Sequence, residues 1–380
     1  MYKKLPFREH HILQILSMYG DQPLPMDLII SRYFRNHKAI GGQDRPVIAD
    51  AVYGIIRWKG LLDFLCGEEG KNWENRLDIF QKFSKEYHLE RTDIPAYIRA
   101  SFPETLFDKL VADYGEEKAF ELCIASNEPA PTTIRANLLK TTREDLLKKW
   151  KEVYQISATR ESPLGITFHK KINFFNLPEF KAGFFEVQDE ASQLVAALVK
   201  AEPGQHVLDY CAGSGGKTLA FAPGMQNKGQ IYLHDIRDHI LEECSKRLRR
   251  AGIQNCQVAP YEAPKLKKLK KKMDWVLVDA PCSGTGTLRR NPDMKWKYTP
   301  EMVETLIGQQ RTIFEKALSF LKPGGKIVYA TCSILKDENE RQVEHFMKTY
   351  GLQLEGVPFQ SLPAPGRMDG FFGAILTHVV

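Results

Sequence analysis

The sequence predicts an α/β protein in which a mostly parallel, doubly wound sheet follows a small α/β module and an all-helical N-terminal domain. From about residue 190 onward, short apolar runs rich in β-formers alternate with helical patterns, as expected for a parallel sheet covered by helices on both faces. Before residue 127, apolar residues recur at steps of three and four, which is the helical period. A chain of 380 residues is too long for one ordinary core, so several domains are expected.

Residues 1–126 are predicted to form the helical domain. The stretch DRPVIADAVYGIIRWKGLLDFLC carries apolar side chains at helical spacing from Val47 to Leu65, with Asp44 as the predicted N-cap and Pro46 in the first turn. Charge on helix faces is usually solvated surface. The alternative is contact with nucleic-acid phosphates, for which the candidates are Arg32, Arg35, Lys38, Arg45, Arg57 and Lys59.

Residues 127–189 are predicted to form the small α/β module. Short strands are predicted at TTIRAN, GITFHKK and GFFEVQDE. A helix capped by Thr142 is predicted at TREDLLKKW. Arg135 and Lys140 flank Asn137 on one short stretch. This cluster predicts either a phosphate clamp or ordinary surface pairing, and the residues alone do not favour one over the other.

Residues 190–380 are predicted to form the catalytic domain around the parallel sheet. The last strand, after MDG, is the candidate antiparallel member, and the strand signals in chain order are HVLDYCAG, GQIYLHDI, CQVAP, WVLVDAPC, GGKIVYATC and FFGAILTHVV.

The first of these strands runs into a glycine-rich loop, DYCAGSGGKT. Gly213, Gly215 and Gly216 allow backbone N–H groups to approach a ligand closely. Asp235 ends the next strand, where an acidic side chain accepts hydrogen bonds from ribose hydroxyls. We therefore predict a nucleotide-like ligand, with a helix N-cap as the alternative role of Asp235.

Two cysteines follow strands in the same way, Cys282 in LVDAPCSGTG and Cys332 in VYATCSILKDENE. Ligands bind at the carboxyl edge of such sheets, and a pair of thiols there suggests covalent catalysis on a poor nucleophile such as cytosine. A thiolate that adds to carbon 6 activates carbon 5. Asp279 could protonate ring nitrogen 3, and the second thiol could take part in removing the proton on carbon 5.

Composition limits the other possibilities. A net charge of +6 and a pI near 8.8 agree with a nucleic-acid partner but are weak evidence. Seven scattered cysteines, no signal peptide and no apolar run near twenty residues predict a reducing cytoplasm.

The cysteines have no C-x-x-C spacing and the histidines are scattered, so no metal is expected. No long heptad is visible, so a monomer is expected. The small-hydrophobe role of a free cysteine fits Cys66, Cys123, Cys244 and Cys256.

The motifs DYCAGSGGKT, DAPCSGTGTLRRNPDMKW and ATCSILKDENE resemble those of the RNA cytosine-5 methyltransferases, the family of the NSUN and Fmu/Sun proteins. The resemblance extends through TIRANLLKT, FFEVQDEASQLVAALV and DGFFGAIL, and so covers nearly all of the chain. The N-terminal DRPVIADAVYGIIRWKGLLD is similar to the NusB-like domain of the bacterial small-subunit rRNA enzyme.

This resemblance implies a Rossmann-like domain that uses S-adenosylmethionine to methylate carbon 5 of a cytosine in small-subunit (16S) rRNA. It implies that Cys332 is the nucleophile and that Cys282 assists product release. Asp279 would lie between donor and base, with Lys217 close to both, and the segment Arg289, Arg290, Asn291, Pro292 would border the RNA. The residues implied to bind the cofactor are Cys211, Ala212, Gly213, Ser214, Gly215, Gly216, Lys217, Asp235 and Asp279.

Two departures from the family pattern leave alternatives open. Gly213 and Ser214 replace Ala-Pro in the first loop, which predicts a softer loop. An acidic residue normally follows the third strand, but Pro260 stands near that place. Either Glu262 substitutes for it or the adenine is held by packing alone. The lysine run from Lys265 to Lys272 is either solvated surface or an RNA contact. The alternatives are therefore the same reaction on tRNA, or an RNA-binding ribosome assembly factor with weak catalysis.

Overall fold

The computed structural model describes residues 6–21, 24–259 and 264–379. The chain divides into two compact units. One combines Met1–Pro129 with Thr287–Pro300, and the other combines Ala130–Gly286 with Glu301–Val380. The predicted boundaries after residues 126 and 189 stay a prediction, although the second unit contains two separate sheets.

The first unit is helical. Its core contains fully buried aliphatic side chains such as Ile15, Leu16, Ile29 and Ile55. They come from the apolar faces of amphipathic helices, whose burial stabilises such bundles. The helices are α1 (Phe7–Asp21), α2 (Met26–Asn36), α3 (Asp44–Cys66), α4 (Trp73–Gln81), α5 (Lys85–Leu89), α6 (Ala96–Arg99), α7 (Glu104–Tyr114) and α8 (Glu116–Asn127).

The predicted N-cap at Asp44 is wrong. Helix α3 begins at Asp44 itself, and the preceding Gln43 makes no side-chain cap. The Asp44 carboxylate instead accepts a hydrogen bond of 2.8 Å from Arg8 Nε. An acidic residue in the first turn still favours the helix through its dipole, so the sequence signal marked the correct end of the helix but not the correct role.

Segment 287–300 belongs to the helical unit although it follows Cys282 in the chain. Lys295 Nζ donates to Asn127 Oδ1 and to the Arg57 carbonyl, both at 2.7 Å. Arg57 donates to the Arg289 carbonyl at 2.8 Å. Arg289 is only 1% exposed. The expectations that Arg57 contacts phosphate and that Arg289 borders the RNA are therefore wrong, because both side chains are used inside this unit.

The small module is a four-stranded antiparallel sheet in the order β2-β3-β1-β4. Its core includes Ile134, Trp150, Ile166 and Phe185. The Thr142 hydroxyl accepts a hydrogen bond from the Asp145 backbone at 3.1 Å, as predicted for a capped helix. The elements are β1 (Thr132–Ala136), α9 (Arg143–Trp150), β2 (Ile156–Ala158), β3 (Gly165–Phe168), α10 (Pro178–Lys181) and β4 (Phe185–Val187).

The second sheet has the order β10-β12-β9-β8-β5-β6-β7, with β11 paired to β12. The neighbouring pairs β5–β6, β6–β7, β5–β8 and β8–β9 are parallel. Strand β12 is antiparallel to β9. This confirms the predicted fold class. The strands are β5 (His206–Asp209), β6 (Gln230–Leu233), β7 (Cys256–Val258), β8 (Met273–Asp279), β9 (Leu321–Thr331), β10 (Leu352–Leu354), β11 (Phe359–Ser361) and β12 (Phe371–His378).

Helices cover this sheet, and apolar clusters lie on both of its faces. Such double coverage explains why the central strands are almost uniformly apolar. The helices are α11 (Glu190–Ala196), α12 (Thr218–Phe221), α13 (Asp238–Ala251), α14 (Pro264–Lys267), α15 (Pro300–Leu318) and α16 (Glu340–Tyr350).

The predicted phosphate clamp at Arg135, Asn137 and Lys140 is wrong. Asn137 Nδ2 donates to the carbonyls of Gly183 and Ala251, both at 2.8 Å, and Lys140 Nζ is spent on two further carbonyls. Arg135 is 2% exposed and donates to the side chain of Gln188. Through these bonds Asn137 and Lys140 join the small module to α13. Surface pairing does not describe the buried Arg135 and Asn137 either, whereas Lys140 is exposed.

Within the described ranges, no helix has the length and apolarity needed to cross a bilayer. The same residues hold no group of three His, Cys, Asp or Glu side chains arranged for a metal ion.

Glu186 is the ionic link between the small module and α13. Its carboxylate, 5% exposed, accepts from Arg247 at 2.9 Å and Arg250 at 2.5 Å. We expect Glu186→Ala to lower the free energy of unfolding by about 1 to 3 kcal/mol, because two partly buried guanidinium groups lose their counter-ion. Urea denaturation would measure this. The exposed Glu202→Ala is the control, and equal stability of the two variants would contradict the role of Glu186.

Candidate active site

The glycine-rich loop between β5 and α12 depends on backbone conformations that other residues rarely adopt. Gly213 has φ +51° and Gly215 has φ +80°. A Cβ on Gly215 would lie 2.5 Å from Cys244 Sγ. Only glycine fits there without displacing α13, so the tight turn predicted from the sequence is required by packing as well as by φ.

A cavity of about 600 Å³ opens beside this loop. It lies at the carboxyl ends of β5, β6 and β8, which is where open α/β sheets bind ligands. Its lining includes many of the predicted cofactor residues and adds several more: Ser192, Asp209, Tyr210, Cys211, Ala212, Gly213, Ser214, Gly216, Lys217, His234, Asp235, Ile236, Arg237, Asp279, Pro281, Ile313 and Lys316.

Asp235 bonds to the glycine-rich loop and to Arg237, whose backbone N–H donates to Asp235 Oδ1 at 2.9 Å. It accepts from Gly213 N at 2.9 Å and from Arg237 Nε at 3.0 Å. Burial opposes its charge, but the hydrogen bonds from Arg237 and Gly213 outweigh burial and lower the pKa of Asp235. Helix α13 starts only at Asp238 and has no side-chain cap. The alternative role of Asp235 as an N-cap is therefore wrong.

The donor set of the cavity fits S-adenosylmethionine. Asp235 and Asp209 offer carboxylate oxygens for ribose hydroxyls and an ammonium group. The Oδ1 atom of Asp209 is buried and, among the described residues, has no hydrogen-bond partner, and burial raises the pKa of this side chain to about 7. Ile236, 73% exposed, lines the cavity with Pro281 and Ile313 and provides apolar surface for an adenine ring.

Hydrogen bonds from Arg247 offset the replacement of proline by Ser214 in the glycine-rich loop. Arg247 Nη1 donates to the Ser214 carbonyl at 2.9 Å and to its hydroxyl at 2.7 Å. These two bonds restrain the loop from outside, in place of the rigidity that proline would supply. Pro260 and Glu262, on which the second departure depends, lie outside the described residues.

Lys217 and Asp279 form a close ion pair at the inner end of the cavity. The Lys217 ammonium lies 2.5 Å from Asp279 Oδ2 and 5.4 Å from the centre of the Phe371 ring. Burial disfavours the ammonium charge, but the Asp279 carboxylate outweighs burial and raises the pKa of Lys217. The lysine is therefore a fixed cation at neutral pH.

The two predicted cysteines meet. Strands β8 and β9 are parallel neighbours, and Asp279 is in register with Ala330. The loops that follow therefore leave the sheet side by side, with Cys282 Sγ 3.3 Å from Cys332 Sγ. Both residues are partly exposed.

The charges around the two thiols differ. The hydrogen bond from Cys282, helped by the Lys217 cation, lowers the pKa of Cys332 despite burial and the nearby Asp279. The same contact, with burial and Glu338, raises the pKa of Cys282. Cys332 is therefore the more easily ionised thiol, and a thiolate at Cys332 would accept a hydrogen bond from Cys282.

Sequence reasoning missed several residues of this region. Asp209 carried a usable signal, an acidic residue that ends an apolar strand directly before the glycine loop. Gln188 carried none, because it reaches the loop from the small module, where its amide donates to the Gly216 carbonyl at 3.1 Å. Arg237 and Glu338 were equally hidden, since their partners are set by the tertiary fold.

Comparisons with known proteins agree with this geometry. Residues 196–377 match the family described as 16S rRNA methyltransferase RsmB/F, and residues 102–174 match the RsmF/B-like ferredoxin-like domain. Ribosomal RNA small subunit methyltransferase B of Enterobacter sp. (strain 638) is 32% identical, over 98% of this chain and 87% of its own. A probable methyltransferase B of Synechocystis sp. is 31% identical, over 76% of this chain and 66% of its own.

Among solved structures, a methyltransferase homologue from Pyrococcus horikoshii superimposes with a TM-score of 0.67 at 27% identity, over 75% of this chain and 98% of its own. The predicted class, an S-adenosylmethionine-dependent RNA methyltransferase, is confirmed. With 32% identity over almost its whole length and both domain matches in place, this chain belongs to the ribosomal RNA small subunit methyltransferase B family.

Proposed function

We propose that this protein methylates carbon 5 of a cytosine in 16S rRNA through a covalent bond between Cys332 and the base. The observation that carries the proposal is the thiol pair, 3.3 Å apart, next to the Lys217–Asp279 ion pair and a cavity that fits the methyl donor. A methyltransferase that acts on an oxygen or an exocyclic nitrogen has no need of two thiols at this edge.

The first step is addition of the Cys332 thiolate to carbon 6 of the cytosine. The Sγ–C6 bond forms as the C5–C6 double bond opens, and the electron pair moves towards carbon 4 and nitrogen 3. Nitrogen 3 takes up a proton from solvent as that charge develops, and the Asp279 carboxylate, held in place by Lys217, would accept a hydrogen bond from the N3–H group. Carbon 5 then becomes nucleophilic enough to accept the methyl group.

The second step is release. The proton on carbon 5 must leave, after which the Sγ–C6 bond breaks and the double bond re-forms. We assign this step to Cys282. Its pKa is raised first by the contact with Cys332, and that contact changes once Cys332 is bonded to the base. Cys282 would therefore ionise more readily in the adduct than in the free enzyme, which suits its role as a late base.

S-adenosylmethionine supplies the methyl group when it is bound. Asp235 would hold its ribose, the loop from Cys211 to Lys217 its methionine part, and Ile236, Pro281 and Ile313 its adenine. Loss of catalysis, the alternative suggested by the altered region near Pro260, is disfavoured because Lys217, Asp235 and Asp279 line one cavity and the two cysteines lie together.

Contact with RNA is assigned to the exposed cations of the helical unit. Arg32, Arg35 and Lys38 are exposed and remain candidates for phosphate contacts. Arg45 donates to two carbonyls of its own unit, and Lys59 pairs with Asp63 at 3.0 Å, so neither is a first choice. A cytoplasmic monomer acting on rRNA is part of the proposal.

Cys332→Ala should abolish methyl transfer without forming an adduct, because no nucleophile attacks carbon 6. Cys282→Ala should accumulate a covalent protein–RNA adduct, because release is slow. Labelled methyl transfer to unmodified 16S rRNA and denaturing gels would measure both.

Cys66→Ala, far from the thiol pair in sequence and at the end of α3, is the control and should behave as wild type. Reversed phenotypes would make Cys282 the nucleophile. Transfer to tRNA but not to rRNA would move the proposal to the other substrate, and no transfer to either RNA by the wild type would favour the assembly-factor alternative.

The alkylation rate of Cys332 should rise with pH through a midpoint below the ordinary thiol value of 9.0, because its pKa is lowered by Cys282 and Lys217. Removing either group should move the midpoint upward, so both Cys282→Ala and Lys217→Met are informative. Iodoacetamide labelling read by peptide mass spectrometry would report it, and an unchanged midpoint in both variants would contradict the electrostatic assignment.

Asp235→Ala should weaken binding of S-adenosylmethionine by about 10- to 100-fold, the cost of losing charge-assisted hydrogen bonds to hydroxyls. Calorimetry would measure this. The exposed neighbour Asp238 provides the matched control, Asp238→Ala. Equal affinities of these two variants would remove Asp235 from the cofactor site.

A further inference from the structure

A buried carboxylate joins the two cysteine loops. Glu338 lies in the short turn Lys336–Glu338 after Cys332 and is 0% exposed. Its oxygens accept from Ser283 N at 2.9 Å, from Ser283 Oγ at 2.5 Å and from Gln310 Nε2 at 2.9 Å. Ser283 directly follows Cys282 in the chain. Glu338, which follows Cys332, therefore anchors the Cys282 loop through its hydrogen bonds to Ser283.

Further contacts join the same loops. The Ser283 and Ser333 hydroxyls are 3.2 Å apart, and Thr285 Oγ1 lies 3.0 Å from Ser333 Oγ. Gly286 N donates to the Cys332 carbonyl at 2.9 Å. A Cβ on Gly286 would lie 2.0 Å from the Gly370 carbonyl, so this close approach requires glycine.

Activation of a thiol does not account for the buried carboxylate of Glu338. Its negative charge raises the pKa of both cysteines, which opposes thiolate formation. Its hydrogen-bond donors are neutral groups. Burying a carboxylate beside neutral groups costs free energy that a counter-ion would partly offset. What its oxygens do provide is geometry, since each connects Ser283 to the loop that carries Cys332.

The orientation of Gln310 favours a carboxylate over an amide at position 338. The Gln310 amide nitrogen also donates to the Pro281 carbonyl at 3.0 Å, and its oxygen accepts from Gln342 at 2.8 Å. Gln310 therefore cannot turn over to offer an acceptor. An amide at position 338 would either place its N–H group against the N–H of Gln310 or require the Ser283 hydroxyl to accept where it now donates.

We propose that Glu338 is a positioning residue that sets the separation of the Cys282 and Cys332 thiols by holding Ser283. The catalytic meaning of this role rests on the proposed function, because only a two-thiol reaction needs a defined distance between the sulfur atoms. The positioning itself is a property of the protein without RNA and can be measured alone.

The probe is disulfide formation between the two cysteines. Full-length protein is equilibrated in glutathione buffers of varied ratio, quenched with an alkylating agent and mapped by mass spectrometry. Each Cys282–Cys332 disulfide oxidises two protein thiols and reduces one glutathione disulfide to two glutathione thiols. The buffer ratio at the midpoint gives the effective concentration of one thiol at the other.

In Glu338→Gln the effective concentration should fall by about 10- to 100-fold, the usual cost of displacing a reacting group by about 1 Å. Affinity for S-adenosylmethionine should stay as in wild type, because Glu338 does not line the cavity. The matched control is Glu344→Gln on the exposed face of α16, which should leave the effective concentration unchanged. In the methylation assay, Glu338→Gln should lower kcat and accumulate adduct as Cys282→Ala does.

An effective concentration in Glu338→Gln equal to that of wild type would overturn the proposal, as would a wild type that forms no Cys282–Cys332 disulfide. If Glu338→Gln does not fold, Ser283→Ala decides, since it removes the hydroxyl contact alone and should give a smaller fall in the same direction. Failure of methyl transfer by the wild type would remove the proposed function and leave the disulfide result intact.

Discussion

The parallel pairing of β8 with β9 is the interaction on which the rest of the site depends. In a parallel pair both strands end at the same edge, and the register of Asp279 with Ala330 lets the two following loops leave the sheet together. Two cysteines that are 50 residues apart in the chain come to 3.3 Å for this reason. The cavity, the ion pair and the loop network are all arranged around that edge.

The charges at this edge form an ordered series. Asp279 is the counter-ion of Lys217, the Lys217 cation lowers the pKa of Cys332, and Cys282 lies within hydrogen-bond distance of the Cys332 sulfur. Buried charges are costly unless each has a partner, and here the partner of one group is also the group that tunes the next. The difference between the two thiols thus arises from their surroundings, since the residues themselves are chemically identical.

The motifs predicted most of the site but not the supports behind it. The glycine loop, Asp235, Asp279 and both cysteines each sit at the end of an apolar strand, a local pattern that can be read along the chain. The groups that hold them do not share such a pattern. Gln188 and Arg135 reach the loop from the small module, and Arg247 restrains Ser214 from α13. Basic residues predicted function least well, because Arg57, Arg135 and Arg289 bond inside the protein and the exposed Lys140 bonds to backbone carbonyls.

By itself the sequence determined the fold class, the strand ends that carry chemistry and the family, because each depends on the periodicity and identity of neighbouring residues. Only the tertiary structure decided which cysteine is the more easily ionised, which arginines bond inside the protein, and that segment 287–300 belongs to the helical unit. Those outcomes depend on burial and on partners distant in the chain. The protonation state and the role of a charged side chain depend on the counter-charges and the desolvation that the fold provides.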